Sequence, residues 1–180
     1  MQRAKEDLLV LEAQAGNRTA FENLYRHYNK SLLRFAYRFC ADEQLALDAV
    51  QEAWITLSKT LKSLKDPRGF RVWAYKTVRW RVVDQLRRSG TGDDQPEALN
   101  EDTAASEVGG SAHLATSGQL RAHLATLPTD ERHALALFYF EEMKLSEIAV
   151  ILEVPVGTVK SRLNRARSRL REQMSGDEDG

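Results

Sequence analysis

The sequence predicts an all-α chain of two small helical domains joined by a flexible acidic linker. Apolar residues recur at steps of three and four through most of the chain, the spacing of one helix face. No stretch alternates apolar and polar residues long enough to make a strand. From Ser89 to Gly118 aromatic residues are absent and Gly, Ser, Thr and acids dominate, so this segment cannot bury enough surface to offset its ordering entropy. With 180 residues, two domains fit on either side of it, over 1–89 and 119–174, leaving 90–118 as linker and 175–180 as a disordered tail.

In the first domain a short helix is expected near residues 5–15. Phe21, Leu24, Tyr25, Tyr28, Leu32, Phe35, Ala36 and Phe39 then trace an amphipathic helix. A further stripe, Ala46, Val50, Ala53, Trp54, Leu57 and Leu61, follows Asp42, which can cap its start. Asp42, Glu43 and Asp48 also suit the positive end of a helix dipole. After a KDPRG turn, a helix runs from about Phe70 to Arg88. Its apolar residues surround the axis instead of forming one stripe, so some of them have no core to face. Phe70, Trp73, Val78 and Val83 read as core or helix–helix contacts; Tyr75 and Trp80 fit either core or an exposed surface.

In the second domain Leu120, Leu124 and Leu127 make a short helix that ends at Pro128. Thr129 opens the next, TDERHALALFYF, with acids in its first turn. Ser146 can cap SEIAVILE, which carries Ile148, Ala149 and Leu152 inward. Glu153 and Val154 turn the chain, and Pro155 suits the first turn of a long basic helix. Two helices joined by a tight turn, the second strongly basic, form a helix-turn-helix.

Composition excludes several classes. No apolar run approaches the roughly 18 to 20 residues of a membrane span, and the charges in MQRAKEDLLVLEAQ stand where a signal peptide is apolar, so a cytoplasmic chain is expected. The single cysteine, Cys40, reads as a buried thiol, and His27, His113, His123 and His133 show no metal-ligand spacing. Nucleophile elbow, P-loop, HExxH and zinc-ribbon patterns are absent, so neither an enzyme nor a bound cofactor, metal or small-molecule substrate is expected.

The formal charge, 26 bases against 26 acids, is a cancellation. Lys59 to Arg88 holds ten bases and two acids, a net +8; Gly90 to Gly118 is −6; Pro155 to Arg171 is +6. The second basic segment is the recognition helix of the helix-turn-helix. Val156, Val159, Leu163, Ala166 and Leu170 form its inner stripe, leaving Thr158, Lys160, Ser161, Arg162, Asn164 and Arg165 to face base edges or phosphates, or to make a solvated basic face. Gly157 permits close backbone approach, and Arg167, Arg169 and Arg171 suit phosphate or solvent. The first basic segment, FRVWAYKTVRWRVVDQLRR, interleaves aromatics with cations, a composition that suits stacking on unpaired bases.

Taken together, DAVQEAWITLSKTL, FRVWAYKTVRWRVVDQLRR, an acidic linker and LPTDERHALALFYFEEMKLSEIAVILEVPVGTVKSRLNRARSRL resemble a bacterial RNA polymerase sigma factor of the extracytoplasmic-function (ECF) group. The resemblance implies a promoter-specificity subunit that binds core RNA polymerase and promoter DNA, with an anti-sigma factor as a further partner. It places Asp48, Gln51, Glu52, Trp54 and Ile55 at the polymerase. It gives the loop from Ser63 to Gly69 and the helix after it to the minus-10 element, through Lys65, Arg68, Arg71, Tyr75, Lys76, Arg79 and Trp80. Thr158, Lys160, Ser161, Arg162, Asn164 and Arg165 would read the minus-35 element, and the linker would run toward the RNA exit path. Where many relatives have Asn and then Leu, this chain has Trp80 and Arg81. The other readings are a stand-alone helix-turn-helix regulator acting as a dimer, and a protein-binding adaptor.

Overall fold

The computed structural model of the chain describes residues 3–88, 123–124 and 126–178. They form two separately packed helical units, one on each side of residues 89–122. The expected linker and most of the short helix around Leu120 and Leu124 lie outside the described residues. Among the described residues there is no strand.

The first unit consists of α1 (Arg3–Gln14), α2 (Arg18–Cys40), α3 (Glu43–Thr60) and α4 (Phe70–Arg88). Two single 3₁₀ turns, Leu61–Ser63 and Pro67–Gly69, join the last two helices. Local chemistry sets the boundaries. Gly16, at φ 96°, takes the left-handed turn after α1, and Asn17 caps α2 by accepting from the Ala20 N–H at 3.2 Å. Ala41 ends α2 in the left-handed region, and Asp42 at once caps α3, accepting from the Leu45 N–H at 2.9 Å. The core is the α2 stripe of Leu24, Tyr28, Leu32, Phe35 and Phe39 against Ala46, Val50, Ala53 and Leu57 of α3, and Phe70, Ala74, Tyr75, Val78 and Val82 of α4. A core stripe therefore exists on α4, with Trp73 and Val83 only half buried beside it.

Cys40 is buried, its thiol directed at the carbonyls of Ala36 and Asp42, each at 3.2 Å. Burial pushes that thiol from an ordinary value near 9 up to about 11. The fold therefore keeps a proton that the unfolded chain releases. The contribution of Cys40 should be full below the unfolded value and decline as pH climbs toward about 11. Urea denaturation of the wild type and Cys40→Ala near pH 8 and near pH 11 should show the gap between them shrinking at the higher pH; a constant gap would contradict it.

The second unit holds α5 (Thr129–Tyr139), α6 (Leu145–Leu152) and α7 (Val156–Glu178). Ser146 does not cap α6. That helix starts one residue earlier, and the Lys144 N–H is satisfied by the Glu147 carboxylate at 2.7 Å, a side chain reaching back across the first turn. α7 continues to Glu178, beyond the expected boundary at 174, with no proline to stop it. Leu137, Met143, Ile148, Ile151, Val159, Leu163 and Ala166 close the core.

Candidate nucleic-acid interface

The turn between α6 and α7 is locked from both sides. Glu153 sits in the left-handed region at φ 57°, and its N–H and that of Val154 both reach the Ala149 carbonyl. The Pro155 carbonyl then receives the N–H groups of Thr158 and Val159, at 2.9 and 3.2 Å. With Val159, Leu163 and Ala166 buried, α7 turns Gly157, Lys160 and Asn164 outward. A side chain at Gly157 would meet nothing, so that position opens on free space. Val156, expected in the inner stripe, is instead 38% exposed at the first position of α7, although it shares the face of Val159 and Leu163.

The bases of α7 are not equivalent. Lys160 is exposed and has no ion pair among the described residues. Arg162, only 13% exposed, is paired with Asp130 of α5. Arg165 and Arg169 share Glu131, at 3.0 and 3.2 Å, and that carboxylate is buried. Arg167 lies over Phe138 and Tyr139, at 5.8 and 5.9 Å. Ser161 donates its hydroxyl back to the Thr158 carbonyl at 2.9 Å, and Thr158 is half buried. The acids at the start of α5, visible in the sequence only as dipole partners, thus hold three of the helix's arginines.

On the first unit, Lys76, Trp80, Arg87 and Arg88 are exposed along α4, and Arg71 and Arg79 are half buried, Arg79 lying over the Phe39 ring at 5.6 Å. Tyr75 must be withdrawn from this surface. It is completely buried, angled against Phe35 at 5.2 Å, and has no face to offer a base. Trp80 resolves the other way, at 55% exposed. In the preceding loop Lys65 is exposed. Arg68 is held by both carboxylate oxygens of Asp66, at 3.0 and 3.1 Å, hydrogen bonds that lower the Asp66 carboxyl and raise the Arg68 guanidinium.

A third surface lies on α3. Asp48, Gln51 and Ile55 are exposed, with Gln44 donating to Asp48 at 3.0 Å. Leu47, which sequence reasoning passed over, is also exposed, at 44%, in line with Gln51 and Ile55 at steps of four. Glu52 is half buried and pairs with Arg81. Trp54 belongs to the core. It is 6% exposed, edge-on to Phe21, and donates its indole N–H to Asn29 at 3.1 Å, so it is not a surface contact.

Two family descriptions match this chain, Sigma-70 region 2 over residues 24–91 and Sigma-70 region 4 over residues 117–170. The chain is 30% identical to the RNA polymerase sigma-H factor of Pseudomonas aeruginosa, covering 91% of this chain and 90% of that one. It is 32% identical to the ECF RNA polymerase sigma-E factor of Escherichia coli K12, covering 90% of each. In fold it is similar to the sigma factor RpoE of Bartonella quintana, solved in complex with the anti-sigma factor NepR (TM-score 0.68, 23% identity, 86% and 96% covered). It is likewise similar to CnrH, solved in complex with the cytosolic domain of CnrY (TM-score 0.65, 22% identity, 96% and 98% covered).

Proposed function

This chain belongs to the ECF RNA polymerase sigma factors, and we propose that it directs promoter-specific initiation through three surfaces: α3 on core polymerase, the loop of residues 63–69 with α4 on the minus-10 element, and α7 on the minus-35 element. The observation that carries this is the separation of exposed chemistry. Acid and apolar side chains share the outer face of α3, a ring stands among cations on α4, and Lys160 and Asn164 lead α7. Such surfaces position nucleic acid and protein without catalysis, so the chain acts as a binding subunit in the compartment of the polymerase. No described helix is long and apolar enough to cross a membrane. An anti-sigma factor fits as a partner that covers the same surfaces, as the two similar structures are each of a complex.

Each DNA-reading surface is small, and affinity built on a few phosphate contacts is non-specific and salt-sensitive. Holding both on one polymerase converts two weak contacts into a joint one. Run-off transcription should therefore require added core polymerase, with the free protein giving no specific footprint. Asp48→Lys combined with Ile55→Ala should weaken core binding by about tenfold or more in a titration of labelled protein. Unchanged core affinity would remove α3 from the docking surface. A footprint on a palindrome without polymerase would favour a stand-alone regulator.

A further inference from the structure

Trp80 is the one exposed tryptophan of the three, and one side of its ring is already engaged. The Arg81 guanidinium lies over the indole, 4.8 Å from the ring centroid. Arg81 is itself held. It meets the Glu52 carboxylate at 3.4 Å, donates to the Thr56 hydroxyl at 2.6 Å, and is only 21% exposed. The Thr56 hydroxyl donates in turn to the Glu52 carbonyl at 2.9 Å, so its lone pair is aimed at the guanidinium. Glu52 and Thr56 lie one turn apart on α3, against which α4 packs. A planar cation fixed to the neighbouring helix therefore backs an otherwise open ring.

We propose that Arg81 is a positioning residue for Trp80, holding the indole with one face against its guanidinium and the other turned outward to stack on an unpaired base. The inference rests on the reading of α4 as the single-strand surface. A platform fixed in advance loses less entropy on binding than a free side chain does. Stacking tolerates any base, and Lys76, exposed one turn earlier, stands on the same side for a phosphate. Lysine cannot replace this arginine, because a compact ammonium does not lie flat on a ring while also bridging a carboxylate and a hydroxyl.

The test is a double-mutant cycle on the full chain, titrated at low salt with a labelled single-stranded DNA oligonucleotide of mixed sequence. Arg81→Leu should weaken binding roughly three- to tenfold when Trp80 is present and have almost no effect in a Trp80→Ala background. Arg81→Lys should fail to restore the wild-type affinity, and Thr56→Val, which loosens the guanidinium, should fall between. Melting curves check that each variant is folded, and Thr56→Val supplies the comparison if Arg81→Leu is not. If Arg81→Leu costs the same with and without Trp80, Arg81 is a plain charge contact and the inference is overturned. If Trp80→Ala alone leaves binding unchanged, the single-strand reading of α4 has failed, and the role of Arg81 falls with it.

Discussion

Tyr75→Ala should destabilise the N-terminal unit by about 3 to 5 kcal/mol, while Trp80→Ala, on the same helix, should leave its stability nearly unchanged. Tyr75 fills the core between α2 and α4 with no exposed area, and removing its ring leaves a cavity beside the packed ring of Phe35 that the surrounding core cannot close. Trp80 leaves 55% of its surface in solvent, and the Arg81 guanidinium against its inner face is held independently by Glu52 and Thr56. Its loss should appear in function instead. At about 1 to 3 kcal/mol per stacked base, promoter opening by the polymerase complex should drop roughly 5- to 150-fold, read as permanganate reactivity of the opened strand. Equal losses of melting temperature in the two variants would show that Trp80 carries as much of the fold as Tyr75 does and is not a base platform.

A second contrast divides the C-terminal unit. Lys160→Ala should leave the fold intact and weaken binding to the minus-35 element by about 1 to 3 kcal/mol, the value of one good base contact. Glu131→Ala should do the reverse first, destabilising the unit by about 1 to 3 kcal/mol, since a buried acceptor shared by two arginines is lost. The arginines themselves are half exposed and regain water, which keeps the cost below that of a fully buried pair. Freed of Glu131, Arg165 and Arg169 should then add to sequence-independent affinity and steepen its dependence on salt. Duplex titrations at several salt concentrations, with matched and scrambled minus-35 sequences, read both effects. A Lys160→Ala variant that loses affinity equally for both sequences would make Lys160 a phosphate contact.

The helices were legible because their signals are local. The stripe from Phe21 to Phe39, the Asp42 cap and the Phe70 start each depend on residues within a turn or two. The missed cap at Ser146 had a local cause as well: the helix begins at Leu145, and the Ile148 N–H that a Ser146 cap would accept is already donated to the Lys144 carbonyl. The basic surfaces were legible as charge, and the docking role proposed for α3 was implied only by the family resemblance, yet the exposed residues on both differ from expectation. Tyr75 and Trp54 carry the right chemistry for a surface and lie in the core, while Leu47 carries the wrong chemistry for a surface and lies on it.

What the sequence by itself determined is the succession of helices, the helix-turn-helix and the net sign of each segment, all properties of neighbours in the chain. Tertiary structure alone decided which charges remain available. Arg165 finds Glu131 across 34 residues and Arg81 finds Glu52 across 29, and both pairs follow from how helices pack, which no spacing in the sequence encodes. Of two bases equally visible in the sequence, Lys160 stays exposed and Arg162 ties its helix to α5, because packing brought an acid to one and not to the other.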